Sequence, residues 1–80
     1  MEKSGELHPI EQYTIDIVSK IRHEHKLTQA EIGKILNTQG AFIGNVENLK
    51  NPAKYNLKHI NILAAHFGIS PKVFLPEKPI

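Results

Sequence analysis

Hydrophobic positions recur at helical steps along almost the whole of this chain. Ile10, Tyr13, Ile17, Val18 and Ile21 follow one another at intervals of three, four, one and three. That stripe predicts a helix over residues 10–25, with Pro9 in its first turn, where a missing N–H costs nothing. Ile15 falls off the stripe and is expected to meet another part of the surface. Thr28-Gln29-Ala30-Glu31 has the form of a capping box. The Thr hydroxyl can accept an orphan backbone N–H, and the Glu carboxylate can answer the N–H of the Thr. A second helix is therefore predicted over 29–36, burying Ile32 and Leu36. Asn37 follows, a residue that tolerates the left-handed conformation ending many helices.

A third helix fits 40–48, with Ile43 and Val46 inward. Its start is poorly announced, because Gln39 and Gly40 are weak signals, and Gly40 and Gly44 together cost about 2 kcal/mol of helix propensity. Residues 49–56 read as a loop around Asn51-Pro52. A fourth helix over 57–67 carries Leu57, Ile60, Leu63, Ala64 and Phe67 on one face and stops at Gly68. Ser70-Pro71 opens a short fifth helix that ends before Pro76. Period-two alternation is absent, so the expected fold is all-α, five short helices. The predicted organisation is a loose N-terminus over 1–8, one domain over 9–76 and a loose tail over 77–80. Only about three residues separate helices 2 and 3, and such a link sets one helix steeply across the other, as in a helix-turn-helix. Gly33, on the inward edge of helix 2, is expected to permit that close crossing.

At 80 residues the chain has room for one domain. It has no cysteine, which removes disulfides, thiolate nucleophiles and every cysteine-based metal site. No apolar run is long enough to span a membrane or serve as a secretory leader, so the expected compartment is the cytoplasm. Charge is unevenly spread. Residues 1–25 carry a net of −2 and residues 26–75 a net of +4, the latter from Lys26, Lys34, Lys50, Lys54, Lys58 and Lys72 against Glu31 and Glu47. That distribution suits a surface facing a polyanion, although six lysines over fifty residues can also be plain solvent contacts.

Enzymatic chemistry finds little support. His23 and His25 are two apart on a helix and point away from each other, and His59 and His66 lack an acid at suitable spacing. The remaining imidazole, His8, stands alone. No serine has a base beside it, and no glycine-rich phosphate loop follows a strand. No catalytic residue, metal site or cofactor is expected.

The motifs Ile21-Arg22, Leu27-Thr28-Gln29-Ala30-Glu31-Ile32-Gly33, Ile43, Val46-Glu47-Asn48, Leu57, Ile60-Asn61, Leu63-Ala64, Phe67-Gly68-Ile69-Ser70 and Leu75 share one register. Over residues 17–75 the chain resembles the lambda-repressor-like, Cro/CI-type (XRE) family of helix-turn-helix DNA-binding domains. The resemblance implies double-stranded DNA as the partner, with helix 3 in the major groove, and a regulator of transcription of bacterial or phage type, repressor-like. It implies DNA-backbone contacts from Gln29, at the start of helix 2, and from Lys50, Asn51, Lys54 and Tyr55. Gln39, Gly40, Ala41, Phe42, Gly44 and Asn45 fall on the base-contact surface. Arg22 and Glu47 match a pair tying helix 1 to the end of helix 3. Many relatives are dimers, which implies a homodimer, with Ile69, Val73, Phe74 and Leu75 as the available contacts. Lys26 stands where the family commonly has glycine, which fits a link that avoids positive φ. The alternative is a protein-binding module of antitoxin or assembly type, with the same fold, in which Phe42, Leu49 and Tyr55 meet a partner protein instead of DNA.

Overall fold

α1, α2 and α4 begin at a side-chain cap and end at a left-handed residue, and these local devices set much of the architecture. The computed structural model describes residues 7–80. It contains α1 (Pro9–Glu24), α2 (Gln29–Ile35), α3 (Gly40–Glu47) and α4 (Leu57–Phe67), followed by a 3-10 helix, Pro71–Phe74. The described residues are all-helical, with four α-helices; the fifth segment is a single tight turn because Ser70 caps it and Pro76 follows at once. The loose segment expected over 1–8 lies outside the described residues up to residue 6. Leu7 packs against the core and His8 caps α1.

Three helices stop with the same device. After α1, Lys26 takes φ 57°, and the N–H of Leu27 reaches back to the Arg22 carbonyl at 2.9 Å. After α2, Asn37 takes φ 56°, and the N–H of Thr38 reaches the Gly33 carbonyl at 2.8 Å. After α4, Gly68 takes φ 67°, and Ile69 bonds to Ala64 at 3.0 Å. These are Schellman closures, in which one left-handed residue lets two orphan carbonyls find donors. Asn37 and Gly68 behave as their chemistry predicts. Lys26 does not: the α1–α2 link does not avoid positive φ, and a lysine occupies a conformation that costs an L-residue about 1–2 kcal/mol.

The core is formed by Ile15, Val18, Ile32, Leu36, Ile43, Val46, Tyr55, Ile60, Leu63, Ala64 and Phe74. On α1 the buried face is displaced from the predicted stripe. Thr14, Ile15 and Val18 are buried, while Ile10, Tyr13, Ile17 and Ile21 flank them half-buried. The cause is the C-terminal turn, which packs on that side: Phe74 is fully buried, and the Thr14 hydroxyl donates to its carbonyl at 2.9 Å. Leu57, placed by periodicity on the inward face of α4, is 79% exposed because it stands at the first helical position, beyond the end of the core. No helix among the described residues is long and apolar enough to cross a membrane.

Candidate nucleic-acid interface

The corner between α2 and α3 gathers most of the residues singled out in the sequence and sorts them into an inward and an outward set. Close approach is built from glycine. A Cβ added to Gly33 would sit 3.0 Å from the backbone carbon of Gln39 and from the backbone nitrogen of Gly40. One added to Gly40 would sit 3.0 Å from the Cα of Ala30, and one on Gly44 would lie 3.2 Å from the side-chain oxygen of Gln29. Gly40 and Gly44 are one helical turn apart and therefore share a face. That face looks onto α2, so both glycines stand at the helix–helix contact: a Cβ at Gly40 would press on the backbone of Ala30, and one at Gly44 would meet the end of the Gln29 side chain.

Phe42, also expected on the base-contact surface, turns toward the core. It is half-buried against the core, its ring centroid 5.4 Å from that of His59 and 6.1 Å from that of Tyr55. What α3 leaves exposed is Gln39 at its start, then Ala41 and Asn45 one turn apart, and Asn48 just past its end. The Asn48 side chain is committed, its Oδ1 accepting the backbone N–H of Lys50 at 2.9 Å. The amides of Gln39 and Asn45 have no hydrogen-bond partner among the described residues.

Arg22 and Glu47 join α1 to the end of α3. Arg22 Nη2 donates to Glu47 Oε1 at 2.8 Å and Nε to Oε2 at 2.9 Å, a two-pronged pair with both side chains only 12% exposed. Arg22 Nη1 also donates to the Leu27 carbonyl at 2.9 Å, so the same guanidinium ties the α1–α2 link into the corner. Gln29, expected at a phosphate, instead donates from Nε2 to Glu47 Oε1 at 3.0 Å, and its side-chain oxygen lies in the space opened by Gly44. The planar fork of arginine makes such a pair directional as well as attractive.

The segment after α3 separates its residues too. Lys50 is exposed and makes no ion pair within the described residues. Asn51 is half-buried, and its Oδ1 accepts the N–H of Ala53 at 2.9 Å, closing an Asx turn. Lys54 Nζ lies 2.8 Å from Glu11 Oε2 on α1; that hydrogen bond, with the donated N–H of His8, holds the Glu11 carboxyl below its ordinary range. Tyr55, expected at the phosphates, lies in the core, and its hydroxyl is buried without a partner among the described residues. Burial, with the Glu47 charge adding to it, pushes that phenol up and keeps it protonated. Of the proposed dimer contacts, Phe74 is fully buried, Ile69 is half-buried, and Val73 and Leu75 are exposed.

Two histidines carry work that sequence reasoning missed. His8 Nδ1 accepts the N–H of Ile10 at 3.3 Å while Glu11 accepts the N–H of His8 at 2.9 Å. At α4 the roles are reversed: Asn56 Oδ1 accepts the N–H of His59 at 2.9 Å, and His59 Nδ1 accepts the N–H of Asn56 at 3.1 Å. The available signal was the Asn at 56 and the Glu at 11, each three residues from a histidine, since histidine is not among the usual capping residues. A groove of about 570 Å³ opens beside α1 and α4, lined by Ile10, Thr14, Tyr55, Ile60 and Leu75 with Leu57 at its side. No group of three His, Cys, Asp or Glu residues among those described is arranged to hold a metal ion. No known protein family, curated protein or solved structure matches this chain.

Proposed function

We propose that this chain is a helix-turn-helix domain resembling the Cro/CI type, which binds double-stranded DNA and regulates transcription in the cytoplasm of a bacterium or in a phage-infected cell. The observation that carries the reading is the outer face of α3. The helix is held against α2 through Gly33, Gly40 and Gly44, and it turns Gln39, Ala41 and Asn45 outward, both amides without a hydrogen-bond partner among the described residues. An α-helix presented in this way fits the major groove, where amide side chains match the edges of bases. Lys50, exposed and with no ion pair among the described residues, supplies a cation just beyond α3. Lys54 can exchange Glu11 for a phosphate at little cost, because an exposed ion pair is worth about 0–1 kcal/mol. Gln29 keeps one amide N–H for a phosphate while the other stays on Glu47. A single module of this size buries little DNA surface, and two copies joined through Val73, Leu75 and Ile69 would bind two half-sites.

Titration of a random duplex at about 50 and 200 mM salt tests this reading, because affinity built on phosphate contacts falls steeply over that range. Lys50→Ala should weaken all duplexes alike and reduce the log–log salt slope by about one. Absent or salt-insensitive binding overturns the DNA reading. One observation favours a second reading, a protein-binding module of antitoxin or assembly type: Leu57 is 79% exposed beside an apolar groove. Of Phe42, Leu49 and Tyr55, the residues expected to meet such a partner, Tyr55 is buried and Phe42 and Leu49 are half-buried.

A further inference from the structure

We infer that the base pairs contacted by α3 are A·T pairs, read in the major groove by Gln39, Ala41 and Asn45. The inference rests on the DNA-binding reading above and names the sequence class that such a surface would take. Each exposed reader points the same way. The side-chain amides of Asn and Gln match adenine, donating to N7 and accepting from the N6 amino group, and a small apolar side chain such as alanine packs on the thymine methyl.

The residues that would read G·C pairs are missing or committed. Guanine is recognised chiefly by Arg or Lys at O6 and N7, and cytosine by a carboxylate accepting from N4. Residues 39–48 contain no Arg or Lys. Their one acid, Glu47, accepts from Arg22 at both oxygens and from Gln29, and its side chain is 12% exposed. Lys50 stands beyond the far end of α3, whereas a helix in the groove meets bases mainly through its first turns. The glycines and Phe42 are withdrawn into the α2–α3 and core contacts, so they do not enter the account. Along the helix, Gln39 to Asn45 spans about 9 Å. With base pairs about 3.4 Å apart, that covers roughly three to four pairs.

The test uses the full chain. Selection from a random-sequence duplex pool is followed by substitution of each selected A·T pair with inosine·cytosine or with diaminopurine·thymine. Inosine·cytosine shows a G·C major groove and an A·T minor groove; diaminopurine·thymine shows the reverse. The expected result is A·T enrichment over three to four adjacent pairs, loss of binding with inosine·cytosine and retention with diaminopurine·thymine. Asn45→Ala, a change at an exposed side chain, should lower the preference at one pair by about tenfold or more, read as the ratio of selected-site to random-duplex affinity. Selected sites carrying G·C at the contacted pairs overturn the inference. So does inosine·cytosine behaving as A·T, because the preference would then come from minor-groove shape. Salt-sensitive binding to random duplex with no A·T preference sinks this inference alone, and no binding to any duplex sinks the DNA reading with it.

Discussion

The chain turns twice in its first half with one backbone device, and the two corners are held in different ways. At Lys26, between α1 and α2, the turn is followed at once by a complete capping box, Thr28 with Glu31, whose two bonds measure 2.8 and 3.1 Å. Everything needed to start α2 lies within four residues. At Asn37, between α2 and α3, the turn is equally well closed, but α3 begins at Gln39 with no side-chain cap and carries glycine at its first and fifth positions. An eight-residue helix of that composition is unstable by itself. It is held by distant groups: Ile43 and Val46 are fully buried, Glu47 is gripped by Arg22, and Phe42 packs toward His59. The first corner is a local structure and the second is a tertiary one, and the second carries the surface proposed to meet DNA.

The largest expected effect comes from filling the second corner. Gly33→Leu should abolish the cooperative melting transition, because even its Cβ would press on the backbone of Gln39 and Gly40. Gly33→Ala, which adds that Cβ alone, should cost about 1–3 kcal/mol. A leucine variant that melts normally would break the close-crossing account.

A smaller effect should follow pH, through His59 beside α3. Burial, with the Lys58 charge adding to it, lowers its pKa below the ordinary 6.5, and the rings of Phe42 and Tyr55 are its neighbours from α3 and the preceding loop. The unfolded chain therefore takes up this proton before the folded one does. The stabilising contribution is complete above pH 6.5 and is lost as the pH falls through the lower folded value. Protonation also removes Nδ1 as acceptor for the Asn56 N–H. Melting curves from pH 7.5 down to 5 should show this decline, and His59→Gln, which keeps an acceptor at the same capping position, should flatten it. An unchanged slope in the variant would show that the imidazole is not responsible.

The smallest change belongs to the first corner. Lys26→Gly removes the left-handed penalty of a side chain at φ 57°. Against the greater flexibility of glycine in the unfolded chain, a net gain of about 0.5–1 kcal/mol is expected. A lower Tm would show that the lysine makes up for its conformation elsewhere.

The helices were legible wherever the signal was local. α4 runs over the predicted residues, α2 and α3 each end one residue early, and Asn37 and Gly68 take the left-handed conformation their chemistry allows. The candidate site was legible mainly as an address. The sequence located α3 but not which of its residues turn outward, because Gly40, Ala41, Gly44 and Asn45 are small or polar and leave a weak stripe. Gly40 and Gly44, placed by the resemblance on the base-contact surface, stand against Ala30 and Gln29 of α2. Tyr55 and Phe74 looked exposed because nothing nearby in the chain says that the loop and the last turn fold back on the core.

Sequence by itself determined the all-helical character, the extents of the helices to within a residue and the close approach at Gly33, since backbone hydrogen bonding, turn conformation and helical period act over a few residues. Only the tertiary structure decided which way α3 faces, which charges pair and where α1 buries itself. Those depend on contacts such as Thr14 with Phe74 and Arg22 with Glu47, whose partners stand 60 and 25 residues apart. At that separation no local spacing records the partner, and the packing of the whole chain selects it.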